Sequence, residues 1–553
     1  MNRQELNSFI EKEKAKVVEK AAIPQIRVCC GAGCLSSGAE ELVKTLKQEV
    51  KALNIEAEII PTGCMGPCNQ GPLIKCDPGN TIYQKVETNN INNLLQSHLV
   101  NKSPVTNQLL FSDSRETPFL DADDDPYFKK QFRIALKDCG NLDPHKIEDY
   151  LVNGGYQALD KTLFSMSPED VISEIKQSRL RGRGGAGYPT GLKWETVYRH
   201  VNDQKYVICN GDEGDPGAFM DRSLLEGNPH RILEGMAIAA YAIGASKGFA
   251  YIRGEYPLAI KRFEAAIKQA RKLGLLGNNI LGSGFDFDVE VRIGAGAFVC
   301  GEETALIASI EGKKGNPKPR PPYPAESGLW GKPTLINNVE TYAAIGPIIN
   351  RGGEWYSEIG TAKSAGTKVF ALAGKINNAG LIEVPMGTSL REVVYDIGGG
   401  IQGGGHFKAA QTGGPSGGCI PANHLDVKLD YESLVSLGSI MGSGGLIVMD
   451  ETSDMVDVAR FFMEFSMDES CGKCAPCRIG TKMMHDLLKK ICDNKATRID
   501  LERLEELADY VKDTSLCGLG SSAPNPLLST LRHFRHEYED RIRETSTKHN
   551  IVA

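Results

Sequence analysis

The chain has 553 residues, of which 41% are hydrophobic and 24% charged, and its formal net charge is −7. This length predicts three or four soluble globular domains. No basic stripe indicates nucleic-acid binding, and no apolar stretch is long enough to insert into a membrane. The N-terminus lacks the apolar core of a secretory signal, and 15 clustered cysteines are too few for a disulfide scaffold. We therefore expect a cytoplasmic protein with cysteine-bound metal.

Residues 1–105 have the pattern of a small α/β module, with strands at 26–29 and 57–60 and an amphipathic helix at 39–53. A pair of cysteines follows each strand, at C-x4-C and C-x3-C spacing. Four thiolates on such loops suit a [2Fe-2S] cluster, and zinc is the alternative. The predicted ligands are Cys29, Cys34, Cys64 and Cys68, with Cys30 as an alternative first ligand.

A polar segment without periodicity, 106–126, is predicted as a linker. From 127 to 360, helical patterns alternate with short apolar strands at 206–209 and 249–253, which predicts a mostly parallel α/β domain. Another strand at 368–374 begins a compact, strand-rich module that extends to 450. From Met455 the chain is predicted to be helical to its end.

Glycine-rich loops and carboxylates occur at several points of the parallel domain. The segment 182–187 fits G-x-G-x-x-G, but a helix is predicted before it and Tyr188-Pro189 after it does not favour a helix start, so it is not a standard dinucleotide fingerprint. Its backbone N–H groups can still contact a phosphate or a flat ring, and a bare turn is the alternative.

The acidic loop 210–217 directly follows a predicted buried strand, where parallel sheets bind ligands. Its carboxylates suit hydroxyl or N–H donors of a sugar or flavin; a solvated loop or a divalent-metal site is the alternative. A second strand-to-helix glycine turn lies at 294–304. Tyr323 suits stacking on an adenine, and the Asn337-Asn338 pair with Thr341 suits a phosphate or flavin edge.

The strongest signal for a metal centre is the C-x2-C-x2-C run in 469–478, followed by one distant cysteine. A [4Fe-4S] cluster can be held by three closely spaced cysteines and a distant fourth, whereas zinc sites usually contain two pairs of closely spaced cysteines. The predicted ligands are Cys471, Cys474, Cys477 and Cys517.

Five strings in order resemble the FMN- and NADH-binding subunit of respiratory complex I and its relatives in NAD-linked hydrogenases and formate dehydrogenases. They are 182–194 (GRGGAGYPTGLKW), 210–217, 294–306, 327–341 (SGLWGKPTLINNVET) and 469–478. The resemblance covers about residues 130–545. The first hundred residues resemble a thioredoxin-like [2Fe-2S] domain that is a separate subunit in complex I.

The resemblance implies an α/β multidomain fold. Its parts are a thioredoxin-like domain (1–105), a linker (106–126), a Rossmann-like FMN/NADH domain (127–360), a ubiquitin-like β-grasp domain (361–450) and a helical [4Fe-4S] bundle (451–553). It also implies residue roles near FMN and NAD(H). By this resemblance, Glu303 and Asp215 act near the nicotinamide and Tyr188 and Tyr323 stack on adenine. The residues that border FMN are Gly182, Arg183, Gly184, Gly185, Lys193, Asn210, Asp212, Glu213, Gly301, Glu302, Asn337, Asn338 and Thr341.

Several departures from the complex I pattern favour the soluble hydrogenase-type relatives. Asp215 stands where complex I usually has Glu, Phe298 where it has Tyr, and Lys473 where it has Trp; Thr196 replaces a stacking Phe. The fused first domain indicates the same group, and no C-terminal ferredoxin domain is seen.

We therefore expect an NADH dehydrogenase (diaphorase) subunit of a soluble [FeFe]-hydrogenase, of either the electron-bifurcating or the simple kind. Its expected partners are a small [2Fe-2S] subunit and a catalytic iron–sulfur subunit, with ferredoxin acting through a partner. The alternatives are a formate dehydrogenase β subunit, the peripheral arm of complex I, and a non-catalytic iron–sulfur relay or scaffold.

Overall fold

The computed structural model describes residues 1–115 and 117–543. Glu116 of the predicted linker and residues 544–553 of the predicted last domain lie outside the described residues. The chain forms three separate β-sheets in sequence order and then a helical region. It is therefore a mixed α/β multidomain protein, as predicted. No helix among the described residues has the length and apolar character that crossing a bilayer requires.

The N-terminal module (1–105) contains a four-stranded sheet of order β2-β1-β3-β4, in which β1 and β2 are parallel and the other pairs antiparallel. Its strands are β1 (Gln25–Cys29), β2 (Glu58–Thr62), β3 (Ile74–Asp77) and β4 (Thr81–Tyr83). Its helices are α1 (Arg3–Glu19), α2 (Ala32–Ser36), α3 (Ala39–Ala52) and α4 (Ile91–Leu95). The predicted strands and helix of this module are present within a few residues.

Helix α1 does not pack on the sheet that follows it. Asn2 and Glu5 form a capping box that starts the helix, and its apolar residues Leu6 and Ile10 belong to the core of the central module. Arg3 makes a bidentate ion pair with Asp160 (2.7 and 2.8 Å). The helix therefore fastens the N-terminal module to the next one.

The segment predicted as a polar linker is packed rather than free. Leu109, Leu110 and Phe111 are buried in the same core as the N-terminal sheet. Helix α5 (Pro126–Lys129) follows, and the Tyr127 hydroxyl donates to the carbonyl of Leu381 (2.8 Å). Sequence periodicity missed this because three apolar residues in an irregular turn have no helical or strand period.

The central module (127–360) contains an all-parallel sheet of order β7-β6-β5-β8. Its strands are β5 (Tyr206–Gly211), β6 (Lys247–Arg253), β7 (Asp288–Gly294) and β8 (Thr334–Asn338). Its helices are α6 (Ile147–Val152), α7 (Gln157–Ser165), α8 (Pro168–Gln177), α9 (Thr190–Arg199), α10 (Met220–Gly227), α11 (Pro229–Ile243), α12 (Pro257–Lys272), α13 (Glu303–Ile310), α14 (Pro324–Ser327), α15 (Val339–Arg351) and α16 (Gly353–Ser357).

One sequence expectation about this module is wrong. The sequence disfavours a helix start after the glycine loop, yet α9 begins at Thr190 directly after Pro189. Proline fits the start of a helix because its fixed φ matches and the missing N–H is not needed there. The loop still lacks a strand before it, since α8 precedes it.

The five-stranded module (361–450) has the sheet order β10-β9-β13-β11-β12, with β9 and β13 parallel and the other pairs antiparallel. Its elements are β9 (Thr367–Gly374), β10 (Gly380–Pro385), β11 (Phe407–Thr412), β12 (Gly418–Pro421), α17 (Tyr431–Ser436) and β13 (Gly445–Asp450). Its core is continuous with that of the N-terminal module.

The helical region (451–543) consists of α18 (Met455–Asp468), α19 (Ala475–Cys492), α20 (Arg498–Thr514), α21 (Gly518–Ser522) and α22 (Asn525–Glu539). Helices α18, α19, α20 and α22 enclose a separate apolar core. Gly480 of α19 lies against Val511 of α20, where an added Cβ would be 2.2 Å from the valine Cγ2. This close approach fixes the distance between the start of α19, which carries Cys474 and Cys477, and the end of α20, which Cys517 follows.

Candidate functional site

A cavity of 630 Å³ lies at the carboxyl ends of β5 and β8. This edge of a parallel sheet is where α/β folds bind ligands, and the volume is that of a cofactor site. Its walls come from the central module, the five-stranded module and the helical region, so three parts of the chain are needed to form it. The predicted site residues that line it are Gly184, Gly185, Asn210, Asp212, Glu213, Asp215, Gly301, Glu302 and Asn338.

The acidic loop after β5 presents buried carboxylates to this cavity. Glu213 accepts hydrogen bonds from the backbone N–H groups of Asp221 and Arg222 (both 3.0 Å) at the start of α10. Asp215 accepts one from the Ser443 hydroxyl (2.7 Å). Burial raises the pKa of Glu213 and raises that of Asp215 to about 6. Both carboxylates are therefore positioned by the protein itself.

Asp212 differs, because both of its buried carboxylate oxygens have no hydrogen-bond partner. Arg253 Nη1 is 3.9 Å from Oδ1, which is too far for a hydrogen bond. Burial raises the pKa of Asp212 to about 7. A buried acceptor without a donor is costly, so this carboxylate fits a bound group that supplies N–H or O–H donors, as a flavin ring or its ribityl chain does.

The glycine loop leaves room for a ligand on one side and packs tightly on the other. A Cβ on Gly184 would lie 3.1 Å from Asn338 Cβ, and Gly185 forms a backbone bridge with Gly442 of the five-stranded module. Gly182 sits behind the loop, where its carbonyl accepts from the Tyr431 hydroxyl (2.9 Å). The tight packing at Gly184 and the positive φ of Gly185 (+118°) explain why these two positions carry glycine.

The structure places Arg183 away from the cavity. Its guanidinium is buried and donates to the Tyr356 hydroxyl (3.0 Å) and the Ala365 carbonyl (2.6 Å). Its backbone N–H donates to the Thr341 hydroxyl (2.9 Å), which is also buried behind the loop. Arg183 and Thr341 therefore hold the glycine loop, and their predicted contact with FMN stays a prediction.

The two asparagines that end β8 have different surroundings. The Asn337 side chain accepts a hydrogen bond from the Trp194 indole N–H (3.1 Å) and does not line the cavity. Asn338 lines it, donates to Asp221 (2.5 Å) and caps α15 by accepting from the Glu340 N–H. Asn338 is thus the member of the pair that is available to a ligand.

The glycine turn after β7 places Gly301 and Glu302 at the cavity. The Glu302 carboxylate caps α13 by accepting from the backbone N–H groups of Thr304 (2.9 Å) and Ala305 (3.0 Å). Asn210 holds the turn through a hydrogen bond from its Nδ2 to the Gly301 carbonyl (2.9 Å). The turn and the acidic loop are therefore one connected unit.

Like Gly182, Arg183, Asn337 and Thr341, four further predicted residues lie outside the cavity lining: Glu303, Lys193, Tyr188 and Tyr323. Glu303 pairs with Arg320 (2.7 Å) and lies 3.8 Å from Lys193, whose Nζ donates to the Ile336 carbonyl (3.2 Å). Tyr188 and Tyr323 are half-exposed, at 52% and 51%. Exposed aromatic rings suit a ligand that stacks at the surface. The coenzyme roles of Glu303, Tyr188 and Tyr323 and the FMN contact of Lys193 stay predictions.

Sequence reasoning missed the residues that other modules contribute to the cavity. Gly413, Met441 and Ser443 come from the five-stranded module and Leu519 from α21. Clustered glycines at 413–418 and 442–445 were the available signal, but nothing local showed that these loops face the acidic loop.

The four cysteines of the C-terminal motif surround one small cavity. Cys474 is the N-cap of α19 and Cys517 that of α21, and neither makes a side-chain capping hydrogen bond. Free N–H groups at a helix start suit the sulfurs of an iron–sulfur cluster. Val299 and Leu519 line both this cavity and the larger one, so the two sites share a wall.

The four predicted N-terminal ligands also meet. Cys64 and Cys68 have their Sγ atoms 3.5 Å apart. Interaction with the Cys34 and Cys64 thiols lowers the pKa of Cys29. Cys30 lies apart from this group, and burial raises the pKa of its thiol to about 12. Among the described residues, no three are disposed to hold a single metal ion.

Two family descriptions match the chain. The Nuo51 FMN-binding domain matches residues 175–347, and the NADH-ubiquinone oxidoreductase-F iron-sulfur binding region matches residues 457–541. The HndC subunit of the NADP-reducing hydrogenase of Solidesulfovibrio fructosivorans is 61% identical over 75% of this chain and 84% of that protein. The chain belongs to the family that holds the F subunits of NADH-quinone oxidoreductase and their hydrogenase relatives.

A more distant relative and a solved structure are also similar to the chain. The F 2 subunit of NADH-quinone oxidoreductase from Rhizobium meliloti (strain 1021) is 45% identical over 74% of this chain and 98% of that protein. A crystal structure of NAD+-reducing [NiFe]-hydrogenase in the air-oxidized state has a TM-score of 0.67 at 29% identity, covering 98% of this chain and 92% of that chain. The predicted family, its flavin-dependent NADH oxidoreductase activity, FMN and the [4Fe-4S] cluster are confirmed.

Proposed function

We propose that the chain is the NADH-oxidising flavoprotein subunit of an NAD-linked hydrogenase complex. The observation that carries this proposal is the 630 Å³ cavity, which shares Val299 and Leu519 with the space between the four C-terminal cysteines. FMN, when bound, accepts a hydride from a reduced nicotinamide and passes electrons on singly. A cofactor site and an iron–sulfur site with a common wall suit that division of roles.

The residues around the cavity hold and orient the cofactor and coenzyme. The Gly184–Gly185 backbone leaves space for a flat ring, and the unpartnered Asp212 carboxylate would accept a hydrogen bond from a bound flavin. Val299 and Leu519 form the apolar wall that the two sites share. Asp215 and Glu303 are the carboxylates that we assign to the coenzyme, and Tyr188 and Tyr323 the rings that stack on its adenine. The protein thus contributes to the reaction by orienting the two bound groups and by placing charges around them.

We assign the coenzyme as NAD(H) rather than NADP(H). Arg181 is the basic side chain among the described lining residues, and it pairs with Glu432 (2.6 Å). Asp212, Glu213 and Asp215 line the same space. A 2′-phosphate would add charge of the same sign as these carboxylates. The 61% identical relative is named an NADP-reducing enzyme, so a comparison of the two coenzymes is required.

The domain types follow the predicted boundaries. We assign 1–105 as a thioredoxin-like [2Fe-2S] domain, 127–360 as a Rossmann-like FMN domain, 361–450 as a β-grasp domain and 451–553 as the [4Fe-4S] bundle. The parallel β7-β6-β5-β8 sheet and the mixed β10-β9-β13-β11-β12 sheet support the middle two. The grouping of Cys29, Cys34, Cys64 and Cys68 supports the first.

The hydrogenase setting is supported by the 61% identity to HndC against 45% to a complex I-type subunit. The test is an anaerobic titration of the purified complex with NADH and, separately, NADPH. Flavin bleaching is followed optically, and the clusters by low-temperature EPR. NADH should bleach the flavin and bring up a [4Fe-4S] signal at concentrations where NADPH does not. A flavin-free sample, or one that NADH leaves oxidised, would contradict the proposal, and the co-purifying subunits identify the parent complex.

A further inference from the structure

The loop before β13 brings a hydroxyl from the five-stranded module to a carboxylate of the central module. Ser443 Oγ donates to Asp215 Oδ2 at 2.7 Å, and both residues line the 630 Å³ cavity. The two residues are 228 positions apart in the chain. This hydrogen bond therefore exists only when the two modules are docked.

The backbone of Ser443 is fixed from behind. Its carbonyl accepts from Lys368 Nζ (2.5 Å) of β9, and Lys368 has no exposed side-chain surface. Glu340 neutralises this lysine and accepts from the Val369 N–H (2.9 Å). A buried ion pair whose atoms are hydrogen-bonded in this way is rigid. The hydroxyl of Ser443 is consequently held at one place in the cavity wall.

Close backbone packing holds Asp215 on its other side. A Cβ on Gly414 would lie 3.0 Å from Asp215 Cγ, and one on Gly442 would lie 2.3 Å from the Gly413 Cα. Both glycines have positive φ, +56° and +59°, a conformation that favours glycine. The Asp215 carboxylate thus lies between a glycine turn and the Ser443 hydroxyl, with little freedom to rotate.

We propose that Ser443 is the positioning residue for Asp215, and that through it the five-stranded module supplies part of the coenzyme site. The hydroxyl keeps the carboxylate ionised and turned so that it accepts a hydrogen bond from a sugar hydroxyl of the dinucleotide. This inference rests on the proposed function, because it requires NAD(H) to bind in this cavity.

The charges around Asp215 define the expected effect of pH. Burial raises the pKa of Asp215 to about 6, and the Ser443 hydrogen bond and the Arg253 guanidinium both act against that rise. Glu213 is the neighbouring carboxylate of the same loop. Because the hydroxyl stabilises the ionised form, its removal raises the pKa of Asp215. Coenzyme binding that needs the ionised form is then lost at a higher pH than in the wild type.

The experiment compares S443A, S443T and S436A in the purified complex. Ser436 is an exposed serine of the same module whose hydroxyl donates within α17, so S436A is the matched control. KM and kcat for NADH are measured with an artificial electron acceptor from about pH 5.5 to 8.5. FMN content and the [4Fe-4S] EPR signal are recorded for each variant, which separates assembly from coenzyme binding.

We expect S443A to raise KM for NADH about tenfold near pH 6 with little change in kcat. The acid limb of kcat/KM moves to higher pH, FMN content is unchanged, and S443T and S436A resemble the wild type. An acid limb that coincides with that of the wild type, or an equal loss at every pH that S443T does not rescue, would overturn the proposal.

A double mutant tests whether Ser443 acts through Asp215, and S443T keeps the inference testable if S443A is poorly assembled. In a D215A background, S443A should add no further loss of NADH affinity, since the side-chain acceptor that Ser443 positions is already absent. A full additional loss would show that Ser443 acts independently of Asp215. If the wild-type complex itself neither retains FMN nor oxidises NADH, the proposed function fails, and that outcome is distinct from an unshifted pH profile.

Discussion

Asp212 is the residue whose environment in the cavity is least satisfied by the protein. Burial raises its pKa to about 7, so the folded protein holds a proton that the unfolded chain releases near pH 4. The contribution of Asp212 to the free energy of unfolding is therefore fully present below about pH 4 and is lost as the pH rises through 7. We expect D212N, freed of flavin, to be about 2 kcal/mol more stable than the wild type at pH 8. The difference should disappear below about pH 4, as measured by chemical unfolding.

A matched control for this prediction is D123N, because Asp123 is an exposed carboxylate elsewhere in the chain. It should change stability little at either pH. If D212N and the wild type have the same stability at pH 8, the Asp212 carboxylate finds a donor or water in the flavin-free cavity. Its buried charge would then not destabilise the folded protein as we expect.

Adjacent cysteines give a second test at this scale. Interaction with the Cys34 and Cys64 thiols lowers the pKa of Cys29, whereas burial raises the pKa of the Cys30 thiol to about 12 and the Cys30 carbonyl accepts from Arg262 (3.0 Å). We expect C29S to abolish the [2Fe-2S] EPR signal and to lower iron by about two atoms per chain. C30S should retain both. The opposite pattern would make Cys30 the ligand.

At the scale of elements, the end of α10 is where the N-terminal module meets the central one. A Cβ on Gly63 would lie 2.3 Å from the Gly227 Cα, and the Ala32 N–H donates to the Glu226 carboxylate (2.9 Å). We expect G63A to push the modules apart and to lower stability by about 1–3 kcal/mol. Hydrogen exchange over residues 1–105 should rise, since the module detaches before the rest unfolds.

The control for this contact is G33A. Gly33 lies in α2 of the same module, and an added Cβ there meets nothing within 4 Å. Alanine in a short helix should leave stability unchanged or slightly higher. Equal hydrogen exchange in G63A and G33A would mean that the tight contact with Gly227 does not hold the module in place.

Elements with a clear period were predictable from the sequence, and contacts between modules were not. The strand at 206–209 and the helix at 39–53 appear as β5 and α3 because apolar residues repeat at strand or helix spacing. The start of α9 was missed because Tyr188-Pro189 was expected to disfavour a helix, whereas Pro189 directly precedes its first residue. The packing of Leu109 and the Ser443–Asp215 hydrogen bond depend on how distant segments dock, which no local pattern contains.

In the candidate site, too, some features were predictable from the sequence and others were not. Cysteine spacing predicted which cysteines the structure brings together in each group, because a cluster requires a set number of ligands at limited separation. That these cysteines hold clusters stays a prediction. The structure brings Asp212 and Gly301 to one cavity, as the loops after β5 and β7 predicted. It turns Arg183 away, because the backbone of a loop does not determine where a long side chain finds its hydrogen bonds.

For the whole molecule, the two cysteine groups lie on different sides of the cavity. The C-terminal group shares Val299 and Leu519 with it. The N-terminal group is reached along α10, from Asp221 in the cavity wall to Gly227 beside Gly63, a rise of about 9 Å. We therefore expect electrons that leave the cavity to reach either predicted cluster directly, rather than to pass through the two clusters in series.

Replacing Cys477 by serine separates these two destinations. In C477S, NADH should still bleach the flavin and still bring up the [2Fe-2S] signal, because α10 and the N-terminal module are untouched. The [4Fe-4S] signal should vanish, and electron transfer to the partner subunits should fall at least about a hundredfold. The measurements are anaerobic NADH titration with EPR, and turnover with an acceptor that reacts at the flavin compared with turnover through the partners.

C492S is the control, since Cys492 ends α19 and lies outside the small cavity that the other four cysteines surround. It should keep both signals and full turnover. Loss of both signals in C477S, with the flavin still bleached, would place the N-terminal cluster beyond the [4Fe-4S] cluster. Because the structure sets α10 directly between the cavity and the Cys64 loop, we expect the N-terminal cluster to be reduced without passing through the C-terminal one.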